Sequence, residues 1–438
     1  MKKNDELIAK CLATTFDGQG IVKNEDYTIF VRDLLANEEA KIKIIKVKKH
    51  IAFAIVLELI TKSSKRVDNF CSIGSKCGGC SYAHIAYSEQ LVLKQQRVQD
   101  CFKKIAKMED LPIQPILASP KITRYRNKVQ VPTRNNLMGF YRKHSNDIVE
   151  FDDCMVQSEL SNQILKTIKK LLVETKQLDV CKHILIKHAA ISNEIMVVLI
   201  IRENTLKDLD KISNKLISLY PEIKSIVLNI NKRQDNVILG EHEKIIYGDG
   251  YIYEQLKDLK FRISSKSFYQ INSYQTENLY NMALDYAQVT NNDIVVDMYC
   301  GTGTIGIFMA QKAKKVIGIE IVEEAVKDAR YNAKLNQIEN IEFICEDASV
   351  AIKKIANQKI DVVVVDPPRK GLNNEGIKTI VAIEPKRIVY VSCDVATLAR
   401  DVALFSSLNY QVEKIQPVDM FPYTNHVETV VLMSRVEK

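Results

Sequence analysis

The sequence contains no run of apolar residues that approaches the roughly 20 needed for a membrane-spanning helix. Its first residues, MKKNDELIAK, are charged and are not followed by the apolar segment that is typical of a secretory signal. A chain without such a signal is not expected to build a disulfide framework, so its ten cysteines are expected to be ligands, reactive thiols or small core residues. These absences predict a cytoplasmic protein that does not associate with membranes.

A strong excess of charge is also missing, because a formal net charge of +8 over 438 residues is too modest to indicate nucleic-acid binding by itself. The lysines are nevertheless clustered, with five of them and no acidic residue in residues 41–50. Residues 1–60 contain short strand patterns separated by turn signals, which is typical of a small barrel. The alternation slips at Ile44 and Ile45, which predicts a β-bulge. The lysines would then line one outer face, either as RNA contacts or as solvated charges.

Beyond residue 60 a polar linker leads into a cysteine-rich segment, and residues 88–107 have helical spacing with Ser88 as a candidate N-cap. Strand-like and helical runs then alternate irregularly as far as residue 260, an α+β pattern that matches no named fold. From residue 290 onward, apolar strands alternate regularly with helices, which is typical of a doubly wound parallel sheet. These predicted strands are Ile294–Val296, Val316–Ile319, Val362–Val365 and Ile388–Val391.

The first of these strands ends in Asp297 and continues into a glycine-rich turn, DMYCGTGTIG, ahead of a helical pattern. Glycines at such a turn let the backbone approach a ligand closely. Glu320 ends the next strand, where an acid can accept hydrogen bonds from ribose hydroxyls. Asp297 would repel a pyrophosphate but suits the cationic groups of S-adenosylmethionine, so this cofactor is favoured over a dinucleotide. Asp347 is a further candidate cofactor contact, to the adenine amino group; the alternative is an aspartate that caps a helix.

The strand Val362–Val365 runs directly into Asp366 and two prolines, which hold the backbone extended at the strand end where ligands bind. Cys393 follows the next strand and precedes a helical segment. A single cysteine is most often a buried small apolar residue. This one lies where the cofactor crevice is expected, and a helix N-terminus lowers the pKa of a thiol, so the sequence predicts a nucleophilic thiolate.

Three further cysteines, Cys71, Cys77 and Cys80, lie close together, and Cys154 is a candidate fourth member of the group. Four thiolates can hold zinc or an iron–sulfur cluster. Two pairs of closely spaced cysteines would favour zinc, and that pattern is absent. We interpret the remaining cysteines as small core or loop residues: Cys11, Cys101, Cys181, Cys300 and Cys345.

The motifs DMYCGTGTIG, DPPRKG, VSCDVATLARD and HVETVVLM occur in this order, and together they resemble the bacterial RNA uracil-5-methyltransferases. The resemblance extends over almost the whole chain. It implies that Cys393 adds to carbon 6 of a uracil and that Glu428 removes the proton from carbon 5. The contacts to S-adenosylmethionine that it implies are Gln270, Tyr299, Glu320 and Asp366.

The cysteine spacing resembles that of family members with a [4Fe–4S] cluster, which would be held here by Cys71, Cys77, Cys80 and Cys154. Radical S-adenosylmethionine enzymes also combine such a cluster with this cofactor, but they use a different cysteine spacing and scaffold. Residues 1–60 resemble the TRAM barrel of RNA-modifying enzymes. Within the family, a cluster together with a TRAM barrel points to a uridine in 23S ribosomal RNA as the substrate. A uridine in transfer RNA is the alternative.

The sequence therefore predicts an α/β enzyme with three domains: a TRAM-like, OB-like small β-barrel (1–60), a central α+β iron–sulfur and RNA-binding domain (61–260) and a Rossmann-like S-adenosylmethionine-dependent methyltransferase domain (261–438). We expect a monomer without an obligate protein partner. A 5-methylcytosine methyltransferase would usually carry a cysteine in its Asp-Pro loop, where Arg369 lies here. A catalytically silent RNA-binding protein would be expected to have lost the nucleophile or the base, and both are present.

Overall fold

The N-terminal region of the chain forms a six-stranded β-sheet. The computed structural model describes residues 1–436, so residues 437–438 of the predicted methyltransferase domain lie outside the described residues. The strand bounds are β1 Glu6–Lys10, β2 Ala13–Thr14, β3 Gln19–Asn24, β4 Tyr27–Arg32, β5 Glu39–Val47 and β6 Ile51–Thr61. They pair in the order β1-β5-β6-β4-β3-β2, and β4 and β6 are parallel.

The two ends of this strand order, β1 and β2, are consecutive in the chain, and β1 pairs with β5 while β2 pairs with β3. Between them, the N–H of Cys11 donates to the carbonyl oxygen of Glu38 and the N–H of Leu12 donates to that of Ile21, both at 2.8 Å. One bent strand thus bonds to both sides, and the sheet curls back on itself. The structure therefore confirms a β-rich N-terminal domain, and its strand pairing agrees with the predicted small barrel.

The pairing register of β5 shifts between Ile44 and Lys46, which confirms the predicted bulge. Apolar residues of β5 face the core, while Lys46, Lys48 and Lys49 on and after this strand are exposed.

A loop with the clustered cysteines connects this sheet to helix α1, Tyr87–Cys101, which continues into a π-helical turn, Phe102–Ala106. The helix predicted over residues 88–107 is confirmed. Its predicted N-cap is wrong, since the N-cap position is occupied by Ala86 and Ser88 lies inside the first turn.

The middle of the chain contains a second six-stranded sheet with two helices packed against it. Its elements are β7 Lys128–Arg134, β8 Leu137–Met138, β9 Phe140–Tyr141, β10 Ile148–Val149, α2 Glu159–Glu174, β11 Cys181–Ala189, β12 Glu194–Ile201, α3 Leu209–Leu219, β13 Ile223–Ile230 and β14 His242–Tyr247. The sheet has the order β14-β13-β12-β11-β7-β8, and β9 pairs with β10. Buried aliphatic residues of α2 and α3 pack with those of β11 to β13 in one apolar core.

A hairpin of β15, Tyr251–Leu256, and β16, Leu259–Ser264, connects this sheet to the C-terminal part of the chain. The domain boundary predicted between residues 260 and 261 falls inside β16. Apolar residues of the hairpin pack with residues of both neighbouring sheets, and the bounds of the three domains stay predictions.

The C-terminal part is a seven-stranded sheet with helices on both faces. Its elements are α4 Ser273–Ala287, β17 Ile294–Met298, α5 Thr304–Ala310, β18 Lys315–Glu320, α6 Glu323–Leu335, β19 Ile341–Cys345, α7 Ala348–Ile355, β20 Val362–Val365, α8 Asn374–Ala382, β21 Arg387–Ser392, α9 Val395–Ser407, β22 Tyr410–Val418 and β23 Glu428–Arg435. The strand order is β19-β18-β17-β20-β21-β23-β22.

Five strands of this sheet, β17 to β21, are parallel, and β23 runs antiparallel between β21 and β22. The all-valine strand β20 is buried along its whole length, as expected for a central strand covered on both faces. The parallel sheet predicted from the apolar runs is therefore confirmed, and the α/β fold with it.

Residues from before the central sheet also pack on the C-terminal sheet. Helix α1 and its π-helical turn lie against α9. Further along, the segment 112–117 runs parallel to the edge strand β22, with bridges from Ile113 to Ile415 and from Leu117 to Val418. No helix within residues 1–436 has the length and apolar character needed to cross a membrane.

Candidate active site

The carboxyl ends of the parallel strands in the C-terminal sheet carry four of the predicted site residues. Tyr299 lies just after β17, Glu320 ends β18, Asp366 follows β20 and Cys393 follows β21. Because parallel strands end at one edge of a sheet, these side chains meet at one crevice, where ligands of such sheets bind.

Cys393 and Glu428 are brought together by the antiparallel pair β21 and β23. Ser392, the last residue of β21, pairs with Thr429, so the next residues toward the crevice are Cys393 and Glu428. The thiol is half-buried, and the carboxyl is buried. The strand register therefore places the predicted nucleophile and the predicted base side by side.

The glycine-rich turn after β17 has the backbone conformation that its glycines allow. Gly301 and Gly303 have φ angles of 54° and 79°. A Cβ on Gly303 would lie 2.9 Å from the ring of Phe343. The Glu320 carboxylate accepts hydrogen bonds from the backbone N–H of Gly301 at 3.1 Å and of Ile321 at 2.8 Å. This acid is thus tied to the turn at the mouth of the crevice.

Asp297 lies beneath this turn and is buried, with 1% of its surface exposed. Its Oδ2 atom has no hydrogen-bond partner among the described residues. Burial raises the pKa of this carboxyl to about 8. An orphaned, buried carboxyl oxygen beside the turn suits a cationic ligand, as its position in the sequence indicated.

Gln270 and Asp347, the other two predicted cofactor contacts, differ in their burial and hydrogen bonds. Gln270 is buried in the segment between β16 and α4, where its backbone carbonyl oxygen accepts a hydrogen bond from the Asn127 amide at 2.8 Å. Asp347 is exposed and is the N-cap of α7, with Oδ1 accepting from the Ser349 N–H at 2.9 Å. The helix-cap alternative for Asp347 is present in the structure, and its contact with adenine stays a prediction.

Two acids approach each other at the centre of the site. Burial and the neighbouring Asp366 raise the pKa of Glu428 well above its ordinary value, and Arg369 opposes this rise. Burial also raises the pKa of Asp366, to about 7. Both shifts favour the protonated forms of the two carboxyls in the free protein.

The pKa of Cys393 corrects the prediction of a ready thiolate. Burial, followed by the charges of Glu428 and Asp366, raises it to about 11. The helix that was expected to lower it is already capped, because the Asp394 carboxylate accepts from the N–H groups of Ala396 at 3.1 Å and Thr397 at 2.9 Å. The first N–H groups of this helix are thus bonded to Asp394 and not to the thiol.

Arg369 is a site residue that the sequence did not predict. Its position in the Asp-Pro loop served only to argue against a 5-methylcytosine methyltransferase, which would usually carry a cysteine there. Its guanidinium lowers the pKa of Cys393 through its charge and through a hydrogen bond, and it opposes the rise in the pKa of Glu428. It is the cation facing both groups. The signal was present in the sequence, since Arg369 follows Asp366 by three residues in the same rigid loop.

The four clustered cysteines line one cavity of about 420 Å³, together with Arg126. Burial and the three neighbouring thiols raise the pKa of Cys80 to about 12. Within residues 1–436, no group of three or more cysteine, histidine or acidic side chains is close enough to hold one metal ion. The four cysteines therefore surround a common cavity, but they are not close enough together to bind one metal ion.

Comparison with known proteins agrees with this arrangement. A sequence profile described as tRNA (uracil-5-)-methyltransferase matches residues 86–436. The chain belongs to the RNA uracil-5-methyltransferase family. Its relatives include an uncharacterized RNA methyltransferase of Bacillus cereus, 42% identical over 452 residues, with 100% of this chain and 98% of the relative covered. An uncharacterized RNA methyltransferase of Clostridium acetobutylicum is 42% identical over 437 residues, covering 96% of this chain and 95% of the relative.

A solved structure of the family has the same architecture. It is the Pyrococcus abyssi tRNA (uracil-54, C5)-methyltransferase in complex with S-adenosyl-L-homocysteine, which is 27% identical with a TM-score of 0.78. The match covers 98% of this chain and 100% of that chain, so it includes the N-terminal sheet.

Proposed function

We propose that this protein transfers a methyl group from S-adenosylmethionine to carbon 5 of a uridine in 23S ribosomal RNA. The observation that carries the proposal is the meeting of Cys393 and Glu428 across β21 and β23, beside Asp366 and Arg369. A thiol, an acid and a cation at the ends of a methyltransferase sheet are the groups that this reaction requires.

Carbon 5 of uracil needs activation before it can accept a methyl group. The Cys393 thiol loses its proton to solvent, with Arg369 stabilising the negative charge, and its sulfur bonds to carbon 6. The electron pair of the 5,6 double bond moves into an enolate, from which carbon 5 bonds to the methyl carbon as the methyl leaves its sulfur. Glu428 then takes the proton of carbon 5. The double bond forms again, the bond between carbon 6 and sulfur breaks, and Cys393 is restored.

The cofactor site that we propose consists of the crevice residues Gln270, Tyr299, Glu320, Asp347 and Asp366. S-adenosylmethionine, when bound, supplies the methyl group on a cationic sulfonium. The residues present fit such a ligand, because the buried Asp297, Asp366 and Glu428 all have raised pKa values. A cation beside these carboxyls lowers their pKa values and so helps Glu428 to act as a base.

We further propose that Cys71, Cys77, Cys80 and Cys154 hold a [4Fe–4S] cluster with a structural role. A cluster of several irons keeps its thiolates farther apart than a single zinc ion does, which suits cysteines that surround a cavity. Anaerobically purified protein should be brown and contain about four irons per chain. The serine variant of Cys77 should lose that iron, whereas the serine variant of the exposed Cys345 should keep it. Stoichiometric zinc without iron would contradict the proposal.

Transfer RNA remains the second candidate substrate, and one observation favours it. The Pyrococcus abyssi enzyme, which is named for transfer RNA, covers 98% of this chain. The presence of the N-terminal sheet therefore does not distinguish an enzyme that acts on ribosomal RNA from one that acts on transfer RNA. The set of four cysteines, which resembles that of ribosomal RNA enzymes, supports 23S ribosomal RNA.

The deciding experiment is a map of 5-methyluridine in ribosomal and transfer RNA from cells with and without this gene. We expect at least one uridine of 23S ribosomal RNA to lose its methyl group in the deletion strain and to regain it on complementation. Loss confined to transfer RNA would overturn the assignment of the substrate while leaving the chemistry intact.

A further inference from the structure

The loop between β22 and β23, residues 419–427, leads directly into Glu428. We call it the base loop. Val418, the residue before the loop, pairs with Glu428 across the two strands. Both ends of the base loop therefore lie beside the proposed base, and a change in the loop's conformation changes where that carboxyl lies.

Helix α1 contacts the base loop through polar side chains on one face. Tyr87, Gln90 and Lys94 are spaced by three and four residues, so they project from the same side of the helix. Further along the helix, this face continues with Val98 and then Phe102, which are buried in the apolar core of the C-terminal sheet. Buried polar groups thus occupy the part of the face that meets the loop.

The strongest of these contacts is an ion pair without solvent access. The Lys94 Nζ atom lies 2.5 Å from Oδ1 of Asp419, and both side chains are 0% exposed. Lys94 also donates to the carbonyl oxygen of Phe421 at 3.0 Å. The Tyr87 hydroxyl donates to Oδ2 of Asp419 at 2.8 Å and accepts from the N–H of Ser119 at 2.8 Å. One lysine and one tyrosine therefore fix the first three residues of the loop.

A third contact holds the middle of the loop. Oε1 of Gln90 accepts from the N–H of Tyr423 at 2.9 Å, while its Nε2 donates to the carbonyl oxygen of Ile85 at 2.8 Å. Gln90 is fully buried. Its amide is therefore oriented by a bond at each end, and the loop backbone is hydrogen-bonded to the helix at a fixed position.

Stability alone does not account for this arrangement. Desolvating two charges costs as much as their attraction returns, and apolar residues of similar volume would stabilise such a contact equally well. What the polar groups add is a single permitted geometry, since any displacement of the loop leaves a buried charge without its partner. We propose that Tyr87, Gln90, Lys94 and Asp419 are positioning residues that hold the base loop so that Glu428 reaches the carbon 5 proton. The proposal rests on the function proposed for Glu428.

The test is the removal of one hydroxyl group. Tyr87→Phe deletes the bonds to Asp419 and Ser119 but keeps the ring, whereas Lys94→Met leaves a buried carboxylate unpaired and can prevent folding. The matched control is Tyr410→Phe, which deletes a buried hydroxyl that donates to the carbonyl oxygen of Pro385, far from the loop. Enzyme is mixed in single-turnover amounts with methyl-labelled S-adenosylmethionine and total RNA from cells that lack this gene, and labelled protein–RNA adduct is followed by denaturing electrophoresis.

We expect Tyr87→Phe to form the adduct at the wild-type rate but to release methylated RNA more slowly, by about tenfold or more, as loss of a hydrogen bond to a charged group predicts. Tyr410→Phe should release RNA like wild type. A general loss of folded protein would lower both steps equally. Equal release by Tyr87→Phe and Tyr410→Phe would overturn the inference. Failure of the base assignment gives a different pattern, in which Glu428→Gln itself releases methylated RNA like wild type.

Discussion

In the free protein, the surroundings of Cys393 and Glu428 favour the protonated thiol and carboxyl, whereas the proposed reaction requires a thiolate and a carboxylate. Both pKa values are raised by burial and by neighbouring carboxyls. Arg369 is the side chain that opposes both shifts. The sequence predicted the two reacting residues from their motifs. It did not predict their ionisation, because that depends on how deeply the fold buries them and on the cap that Asp394 provides for α9.

Substitutions at the two reacting residues should separate the first step from the last. Cys393→Ala should reduce methylation by about a thousandfold or more and leave no covalent enzyme–RNA species. Glu428→Gln should still add and transfer methyl, and should accumulate a methylated adduct that survives denaturing electrophoresis. RNA with 5-fluorouridine at the target should trap wild-type enzyme, because fluorine cannot leave as a cation. Adduct formation by Cys393→Ala with that RNA would contradict the nucleophile assignment.

Removal of Arg369 should shift the reactivity of Cys393 to higher pH. The guanidinium favours the thiolate, so Arg369→Met raises the thiol pKa and lowers the thiolate fraction at a given pH by about tenfold. The measurement is the rate of iodoacetamide alkylation of the Cys393 peptide against pH, followed by mass spectrometry. Lys370→Met, which removes the adjacent exposed lysine, is the control and should leave the profile unchanged. An unchanged profile in Arg369→Met would show that the guanidinium does not act on the thiol.

At the scale of elements, the sequence predicted the strands of the C-terminal sheet well because their apolar runs are continuous and are bounded by turn residues. Strand β20 consists of four β-branched valines and is followed by Asp366 and two prolines, which favours a strand over a helix. Helix α1 was predicted as a helix, but its role was not, because Gln90 and Lys94 are residue types that usually face solvent. The N-terminal sheet was predicted as a small barrel, but its strand order was not, since that order depends on pairing between residues far apart in the sequence.

In the turn after β17, two glycines with positive φ angles differ in the space around them, so alanine substitutions there separate backbone strain from steric clash. Gly303→Ala should destabilise the protein by about 1–3 kcal/mol, because it combines a left-handed φ with a clash against Phe343. Gly301→Ala is the matched variant, with a left-handed φ but open space around its Cβ, and should cost about 1 kcal/mol. Urea unfolding followed by circular dichroism measures both. Equal losses would mean that the ring of Phe343 moves aside freely.

Over the whole molecule, charge is distributed unevenly, and the exposed lysines of the N-terminal sheet are the largest cluster that the sequence revealed. If Lys46, Lys48 and Lys49 contact phosphates, neutralising all three should flatten the salt dependence of RNA binding by about two units of log–log slope. The affinity for S-adenosylmethionine should not change. Neutralising Lys353 and Lys354, which pair with Glu375 of α8 and with Glu346 after β19, is the control. An unchanged slope would show that these lysines are solvated and do not contact RNA phosphates.

The segment 112–117 along β22 limits where this chain can be joined to another domain by gene fusion. It accepts and donates backbone hydrogen bonds along that edge, from Pro112 to Leu117, and so covers groups that would otherwise recruit a strand from another molecule. Together with α1, it belongs to the C-terminal sheet although the central sheet is inserted after it. A gene fusion that joins a new RNA-binding module before residue 87 leaves this edge covered. A fusion at residue 261 leaves the edge strand β22 uncovered, so we expect the resulting proteins to aggregate through this edge and to be removed by selection.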